Sequence, residues 1–215
     1  MAWRSAPLLA ITCMCLALPV ASRAFDDTLG KERIGVRAGG ITTNDGFRDA
    51  YGGGWDLTLF FSERITHHFL VDVRLGAIYM GELQPPLEHL DDKLLNQSGI
   101  QTSMRLLFIT LGPMVGTRIS GPYSMHLSAG AGIYSVSIVA DNALTNYDLS
   151  DQDFGFNGEF GLARRISTNW SIEAAGAAHY VLITKDIKDV YFAFTDGADA
   201  PLIFDVTLGV AVDLR

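Results

Sequence analysis

In the last fourteen residues of the chain one parity is apolar without exception, and the other is small, polar or charged apart from Ile203. The apolar parity is Leu202, Phe204, Val206, Leu208, Val210, Val212 and Leu214. Because successive side chains of a β-strand point to opposite faces, the pattern predicts a strand with one apolar face. A strand of about ten residues can cross a bilayer at a tilt. Since a bilayer cannot solvate an open sheet edge, we expect other strands to close a barrel with it.

The rest of the chain predicts seven more strands. The predicted strands are about Arg33 to Gly40, Gly54 to Ile65, Phe69 to Gly81, Gln101 to Arg118, Tyr123 to Ala140, Phe154 to Ile166, Trp170 to Lys185 and Leu202 to Leu214. The long connections are Ile41 to Gly53, Glu82 to Ile100, Asp141 to Asp153 and Asp186 to Pro201, and the short ones are Thr66 to His68, Ile119 to Pro122 and Ser167 to Asn169. Long and short connections alternate. This is typical of an all-β, eight-stranded antiparallel up-and-down transmembrane barrel with both termini at the short turns.

Aromatic side chains of the apolar parity gather at both ends of the predicted strands. Those near the long connections are Trp55, Tyr79, Phe154, Phe156 and Tyr180, and those near the short turns are Phe69, Tyr123 and Trp170. Amphipathic rings prefer the membrane–water interface. The sequence therefore predicts an aromatic girdle at each rim and lipid around the apolar parity.

Charged residues collect on the opposite parity. The predicted charge network of the lumen is Arg37, Asp56, Asp72, Arg74, Arg105, Glu159, Glu173 and Asp205, accompanied by His126, Arg165, His179 and Asp213. Buried charges are tolerable only when they are paired and hydrogen-bonded. Eight strands leave an interior just wide enough for side chains. We therefore expect a bonded plug, and a water-filled pore or ligand cavity is the alternative.

Two strands do not show a single parity. Residues Met104 to Leu111 are apolar on both parities, and Arg105 alone favours an inward direction for the odd positions. In the fifth strand the apolar set changes parity after Ile133, to Val136 and Ile138, which predicts a β-bulge.

The amino terminus has the pattern of a secretory signal. Met1 to Ala24 combines a basic start, an apolar run and a small-residue end, which predicts cleavage after Ala24. Residues 25–32 then form a periplasmic segment, and 33–215 form the barrel domain. Both cysteines lie inside the signal, so we expect neither disulfides nor thiolate metal sites in the mature chain.

Charge and catalytic motifs limit the function. Without Arg4 and Arg23 the chain carries fourteen basic and twenty-four acidic residues, a formal charge of −10 that makes nucleic acid an unsuitable partner. His126 and Ser128 share a parity near Glu159, so a Ser-His-acid group of the kind found in lipid A deacylases is an alternative. The inward parity would hide this group from lipid, so we expect no enzyme. No cofactor is expected, and the acidic connections do not match the spacing of a calcium loop.

Three sequence segments, in order, carry a family resemblance. The first is Gly53 to Leu57, followed by Ser62 to Ile65. The second is Pro122-Tyr123, followed by Ala129 to Tyr134. The third is Phe160 to Ala163, followed by Ile166 to Ile172. In these segments Arg33 to Arg215 resembles the outer-membrane protein β-barrel family, which includes opacity-type porins and the transmembrane domain of outer membrane protein A. Members of that family usually end in an aromatic residue, whereas this chain ends in Asp213-Leu214-Arg215. Leu214 has the lipid-facing parity and can take that place.

The resemblance implies a non-enzymatic protein of the bacterial outer membrane. Its surroundings would be outer-membrane lipid and lipopolysaccharide, and the outer-membrane assembly machinery would insert it. We expect a structural role or an interaction of the surface loops with an extracellular ligand. The alternatives are a narrow porin for small solutes, a soluble calyx-like ligand binder with its apolar parity inside, and a lipid A-modifying barrel enzyme.

Overall fold

The computed structural model describes residues 32–43, 53–66, 69–83, 101–141, 146–182 and 202–214. Their regular structure consists of eight β-strands. The strands are β1 (Glu32–Thr43), β2 (Gly54–Arg64), β3 (Leu70–Leu83), β4 (Gln101–Ser120), β5 (Tyr123–Asp141), β6 (Asn146–Arg165), β7 (Trp170–Leu182) and β8 (Leu202–Asp213). The predicted signal peptide, nearly all of the 25–32 segment, most residues of three long connections and His67-His68 lie outside the described residues.

The strands close into one barrel. Each strand pairs antiparallel with the next, and β8 pairs with β1, which confirms the predicted fold class. Arg33 on β1 lies opposite Asp213 on β8, so the described barrel begins and ends at the short-turn rim. Among the described residues, no helix is long and apolar enough to span a membrane.

The pairing register sets the tilt of the strands. A row of directly paired residues starts at Ile34 of β1, passes through every strand and reaches Leu202 of β8. The next residue of β8, Ile203, pairs with Thr43 of β1. One circuit therefore advances by ten residues along β1. With about 3.3 Å per residue and about 4.8 Å between strands, this offset tilts the strands by about 40° from the barrel axis.

The two parities of the strands meet different surroundings. Burial alternates residue by residue along β2 and β7, with the apolar parity exposed and the polar parity buried. Leu57 and Leu59 on β2, Leu75 on β3 and Leu208 on β8 are among the exposed hydrophobic side chains. This arrangement is the inverse of a soluble protein and of a soluble calyx, which turns its apolar parity inward. It is the arrangement of a transmembrane barrel.

The short turns need few residues because the strands they join are adjacent and antiparallel. Ser120 pairs with Tyr123, so Gly121 and Pro122 alone link β4 to β5. Gly121 has a φ of 54°, which glycine adopts at little steric cost at the first central position of such a hairpin turn. Ile166 donates its backbone N–H to the Trp170 carbonyl at 2.9 Å and closes the turn between β6 and β7.

The register predicted for the fourth strand is wrong. The even positions Met104, Leu106 and Phe108 are buried, whereas Arg105 is exposed on the outer face. The pairing of Tyr79 with Arg105 places both side chains on the same face, outside the barrel. The prediction failed because the interior is apolar at this height, so an inward position here does not need a polar residue.

The predicted bulge in the fifth strand and the third long connection are also wrong. β5 and β6 pair without interruption up to Asp141 and Asn146, and the connection between them is only 142–145. His126, Tyr134 and Val136 are all buried on one parity of β5. The outward positions Ser150 and Gln152 of β6 are polar because this part of the hairpin extends past the membrane, so the sequence shows no apolar parity there.

Candidate functional site

A charged layer occupies the middle of the barrel interior, with Glu159 of β6 at its centre. Arg37 Nη1 and Nη2 donate to the two carboxylate oxygens of Glu159 at 2.7 and 2.8 Å, from the opposite side of the barrel. Arg74 Nη1 lies 2.8 Å from Glu159 Oε2, and His126 Nε2 lies 3.0 Å from Oε1. One carboxylate therefore joins residues of β1, β3 and β5 across the lumen.

The remaining charges of the layer are paired in the same way. Arg74 Nε donates to Asp72 Oδ2 at 2.5 Å, and Arg74 Nη2 donates to the Ser128 hydroxyl. Nearer the short turns, Arg33 lies against Glu173 and donates to the Ser171 hydroxyl at 2.6 Å. We call this set the charged layer: Arg33, Arg37, Asp72, Arg74, His126, Ser128, Glu159, Ser171 and Glu173.

A second polar group lies closer to the long connections. His179 Nε2 is 3.0 Å from Asp205 Oδ2, and the Tyr134 hydroxyl is 3.0 Å from His179 Nδ1. Thr58 donates to Asp56 Oδ1 at 2.9 Å on the neighbouring part of the wall. These bonds satisfy polar side chains that would otherwise be costly to bury.

An apolar layer fills the interior at the long-connection end. It consists of Ile41, Ile78, Met80, Met104, Leu106, Phe108, Tyr134, Val136, Val181 and Ile203. Phe108 stacks on Tyr134 with ring centroids 5.4 Å apart and contacts the His179 ring at 4.9 Å. The two rings thus join the apolar layer to the polar group beneath it.

Cavities in the described part of the chain show how little space the interior keeps. The cavity between Arg37, Arg74, Phe108 and His179 has a volume of about 10 Å³. A site needs roughly 10–15 Å³ of this kind of space to hold a single water. A larger cavity of about 350 Å³ lies at the short-turn mouth and reaches Arg33 and Ser171 of the charged layer from that side.

The structure places seven of the eight predicted lumen charges inside the barrel. They are Arg37, Asp56, Asp72, Arg74, Glu159, Glu173 and Asp205. Arg105 is the exception, because it lies outside with its guanidinium carbon 5.7 Å from the centre of the Tyr79 ring. Arg165, also predicted inside, is exposed at the short-turn mouth, 3.5 Å from Asp213.

Sequence reasoning missed two interior residues of the site. Arg33 is only 2% exposed, although its place at the start of β1 gave no sign of burial. Its nearest carboxylates lie on Glu173 and Asp213, far away in sequence. Tyr134 was missed because a tyrosine on a membrane strand is expected in a girdle, and no local signal points inward.

The predicted girdle residues all lie on the outer face. Trp55, Phe69, Tyr123, Phe154, Phe156, Trp170 and Tyr180 are each at least 41% exposed, and Tyr79 is half-buried because it stacks on Trp55. On β7, Trp170 and Tyr180 are ten residues apart. At about 3.3 Å per residue and a tilt of about 40°, the two rims are about 25 Å apart. That is the height of the apolar band of outer-membrane barrels.

The alternative catalytic group forms its contact between histidine and acid, but His126 Nδ1 has no hydrogen-bond partner within the residues that the structure describes, so the serine is not bonded to the histidine. His126 bonds to Glu159, whereas the Ser128 hydroxyl bonds to Arg74. Both side chains are buried in the charged layer. Among the described residues, no group of three or more His, Cys, Asp or Glu side chains could hold a metal ion.

Solved structures share this architecture. The chain is similar to a major outer membrane protein from Thermus thermophilus, with 14% identity, a TM-score of 0.58 and coverage of 84% of this chain and 98% of that one. It is similar also to Neisserial surface protein A, with 14% identity, a TM-score of 0.54 and coverage of 86% and 97%. No family model and no curated protein matches the sequence.

At 14% identity the similarity shows the fold alone, and the surroundings of the barrel follow from the residues described above. The apolar exterior and the two aromatic rims require a lipid environment, and the closed sheet leaves no strand edge unpaired within it. The chain is therefore an integral β-barrel of the bacterial outer-membrane type.

Proposed function

We propose that this protein is a non-enzymatic, non-conducting outer-membrane barrel that acts through the surface its long connections present. The observation that carries the proposal is the blocked lumen. The charged layer crosses the barrel from Arg37 to Glu159, and the apolar layer lies above it. With a cavity of about 10 Å³ between them, no file of water molecules passes.

The extended strands support a role at the surface. Phe154, a rim residue, pairs with Ile133, and β5 and β6 continue for eight more residue pairs to Asp141 and Asn146. At about 3.3 Å per residue and a tilt of about 40°, this hairpin rises about 20 Å past the girdle. β4 accompanies it, since Gln101 pairs with Asp141. A barrel with no pathway inside thus carries a three-stranded platform outside.

The positions of Ser128 and His126 support the absence of catalysis. A serine nucleophile needs a base within hydrogen-bonding distance and access to substrate. Ser128 is 2% exposed and accepts a hydrogen bond from Arg74, and His126 is held by Glu159. A membrane lipid outside the barrel wall cannot reach either side chain.

Planar-bilayer recording tests the closed lumen. Purified protein, inserted at single-molecule density, should give no steady openings, while a sixteen-stranded porin in the same bilayer conducts. Steady openings that scale with inserted protein would contradict the proposal and favour a narrow porin.

A shortened hairpin tests the surface role. Replacing residues 138–149 by Asn-Gly joins Ser137 to Ser150, which already pair, by a two-residue turn. The variant should insert normally, shown by a heat-modifiable gel shift. Cells that carry it should then adhere to immobilised glycans and matrix proteins as weakly as cells without the protein. Full adhesion with the shortened hairpin would contradict the surface role.

A further inference from the structure

The one charged side chain that sequence reasoning placed on the wrong face defines an unusual patch. Arg105 is exposed on the lipid-facing parity of β4 at the long-connection rim. Among the described residues, the partner of its guanidinium is the Tyr79 ring, 5.7 Å away, and no carboxylate pairs with it. An arginine on this parity would cost about 2–4 kcal/mol at the bilayer midplane and little near the interface. Arg105 is therefore a cation held at the height of the lipid headgroups.

The patch continues across five strands as one row of directly opposed residues. Trp55 pairs with Tyr79, Tyr79 with Arg105, Arg105 with Ser137, and Ser137 with Ser150. Directly paired residues share a face, so all five side chains point outward. Because the register rises around the barrel, Ser150 lies about 12 Å farther from the membrane centre than Trp55. We call these five residues the rim row.

The chemistry along the rim row changes with height. Its membrane end is aromatic, with Trp55 and Tyr79 stacked at 5.8 Å and 22°. Its middle is a guanidinium, and its outer end carries two hydroxyl groups, at Ser137 and Ser150. The row below changes in the same direction, from Leu107 to Ser135 and then Gln152.

The stacking leaves the guanidinium ready to bind an anion. Tyr79 lies between Trp55 and Arg105, so the ring holds the guanidinium by its face. The N–H donors of an arginine lie in its plane, and their spacing matches the oxygens of a phosphate. The donors of Arg105 are therefore available to an anion beside the barrel wall.

We propose that the rim row binds the phosphorylated glucosamine headgroup of an outer-leaflet glycolipid. Acyl chains contact the aromatic end, the phosphate binds Arg105, and the sugar hydroxyls bond to Ser137 and Ser150. This order of apolar, anionic and hydroxylated groups is the order met on leaving the membrane through lipid A. A phospholipid such as phosphatidylglycerol supplies the phosphate without the sugar, so it engages only part of the row. The assignment uses the proposed outward direction of the long connections.

The opposite rim offers a matched control. Arg164 pairs directly with Tyr123 and lies 5.7 Å above its ring, the same geometry as Arg105 on Tyr79. On its other side Arg164 pairs with Ile172, whereas Arg105 pairs with Ser137, so no hydroxyl groups continue the row from Arg164. Arg164 faces the other leaflet and should have no part in glycolipid binding.

Binding to purified lipid A tests the proposal. The mature protein, refolded in a zwitterionic detergent with Trp170→Phe, keeps Trp55 as its fluorescent reporter at the rim row. Bisphosphorylated lipid A is titrated into the parent protein and into Arg105→Gln, Arg105→Lys and Arg164→Gln. Arg105→Gln should weaken binding at least tenfold, Arg105→Lys less, and Arg164→Gln not at all. Dephosphorylated lipid A and phosphatidylglycerol should each bind the parent protein at least tenfold more weakly.

Three results would overturn the site. They are unchanged lipid A affinity in Arg105→Gln, equal binding of dephosphorylated lipid A, and equal binding of phosphatidylglycerol. A heat-modifiable gel shift verifies that each variant is folded, and Tyr79→Leu, which removes the ring beneath the guanidinium, gives a second variant with an expected loss. Conductance and cell adhesion do not enter this measurement, so its failure would leave the proposed surface role standing.

Discussion

Neutralising Glu159 is the sharpest test of the charged layer. Glu159→Gln keeps the shape of the side chain but removes the anion that faces Arg37, Arg74 and His126 at 2.7 to 3.0 Å. Each carboxylate oxygen of Glu159 accepts from two of these donors. A glutamine keeps only one such oxygen, because its amide nitrogen is itself a donor. The variant therefore leaves one uncompensated positive charge inside the barrel.

The expected cost follows from the burial of all partners. Glu159 is 5% exposed and Arg37 is 2% exposed, so water does not screen the loss. Removing one member of a buried ion pair costs about 3–5 kcal/mol, and we expect the free energy of unfolding of Glu159→Gln to fall by that amount. Glu63→Gln, the same change at an exposed position, should stay within about 0.5 kcal/mol of the parent.

A double variant separates charge balance from packing. Arg37→Met combined with Glu159→Gln removes one cation with the anion and leaves Arg74 paired to Asp72 at 2.5 Å. Its free energy of unfolding should therefore lie above that of Glu159→Gln alone, because pairs replaced by apolar groups are often tolerated.

Urea unfolding in lipid vesicles, followed by the heat-modifiable gel shift, measures all four proteins. A loss below about 1 kcal/mol in Glu159→Gln would refute the reasoning, since water would then have to reach the layer. Equal losses in the single and double variants would likewise show that packing, not charge, dominates.

Three further predictions address the exterior, the strand contacts and the topology. Leu75→Arg should lower the free energy of unfolding by about 2–4 kcal/mol, whereas Ile119→Arg, an exposed position at the short-turn rim beside Tyr123, should cost little. Gly39→Ala should lower the free energy of unfolding by about 1–3 kcal/mol, because the added Cβ would meet the backbone of β8. The Cβ of Gly158→Ala meets no atom of the described residues, so that variant should match the parent, and equal effects of the two in urea unfolding would contradict this. External protease on intact cells should cut within 183–201 and spare the short turns, and the reverse pattern would invert the topology.

The sequence by itself determined the kind of barrel and most of its faces. In β2, β7 and β8 one parity faces lipid and the other faces a polar lumen. The alternation of apolar and polar residues therefore suffices to predict which side chains point outward. The position of Trp170 and Tyr180 on β7 likewise follows from the interface preference of aromatic rings. Seven of the eight predicted lumen charges came from this parity alone.

The tertiary structure decided what parity cannot express. At the height of the apolar layer both faces of β4 are apolar, so only pairing with β3 and β5 determines that Arg105 points outward. Past the rim the outward side chains of the β5–β6 hairpin include Ser135, Ser137, Ser150 and Gln152, so no apolar parity marks these strands.

Partner choice inside the lumen also depends on the closed sheet. Arg37 and Glu159 are 122 residues apart, and no local pattern relates them. They meet because the ten-residue offset of the register brings β1 and β6 to one level across a barrel about one side chain wide. A strand pattern specifies which face a side chain occupies, but only barrel closure specifies which side chain it meets there.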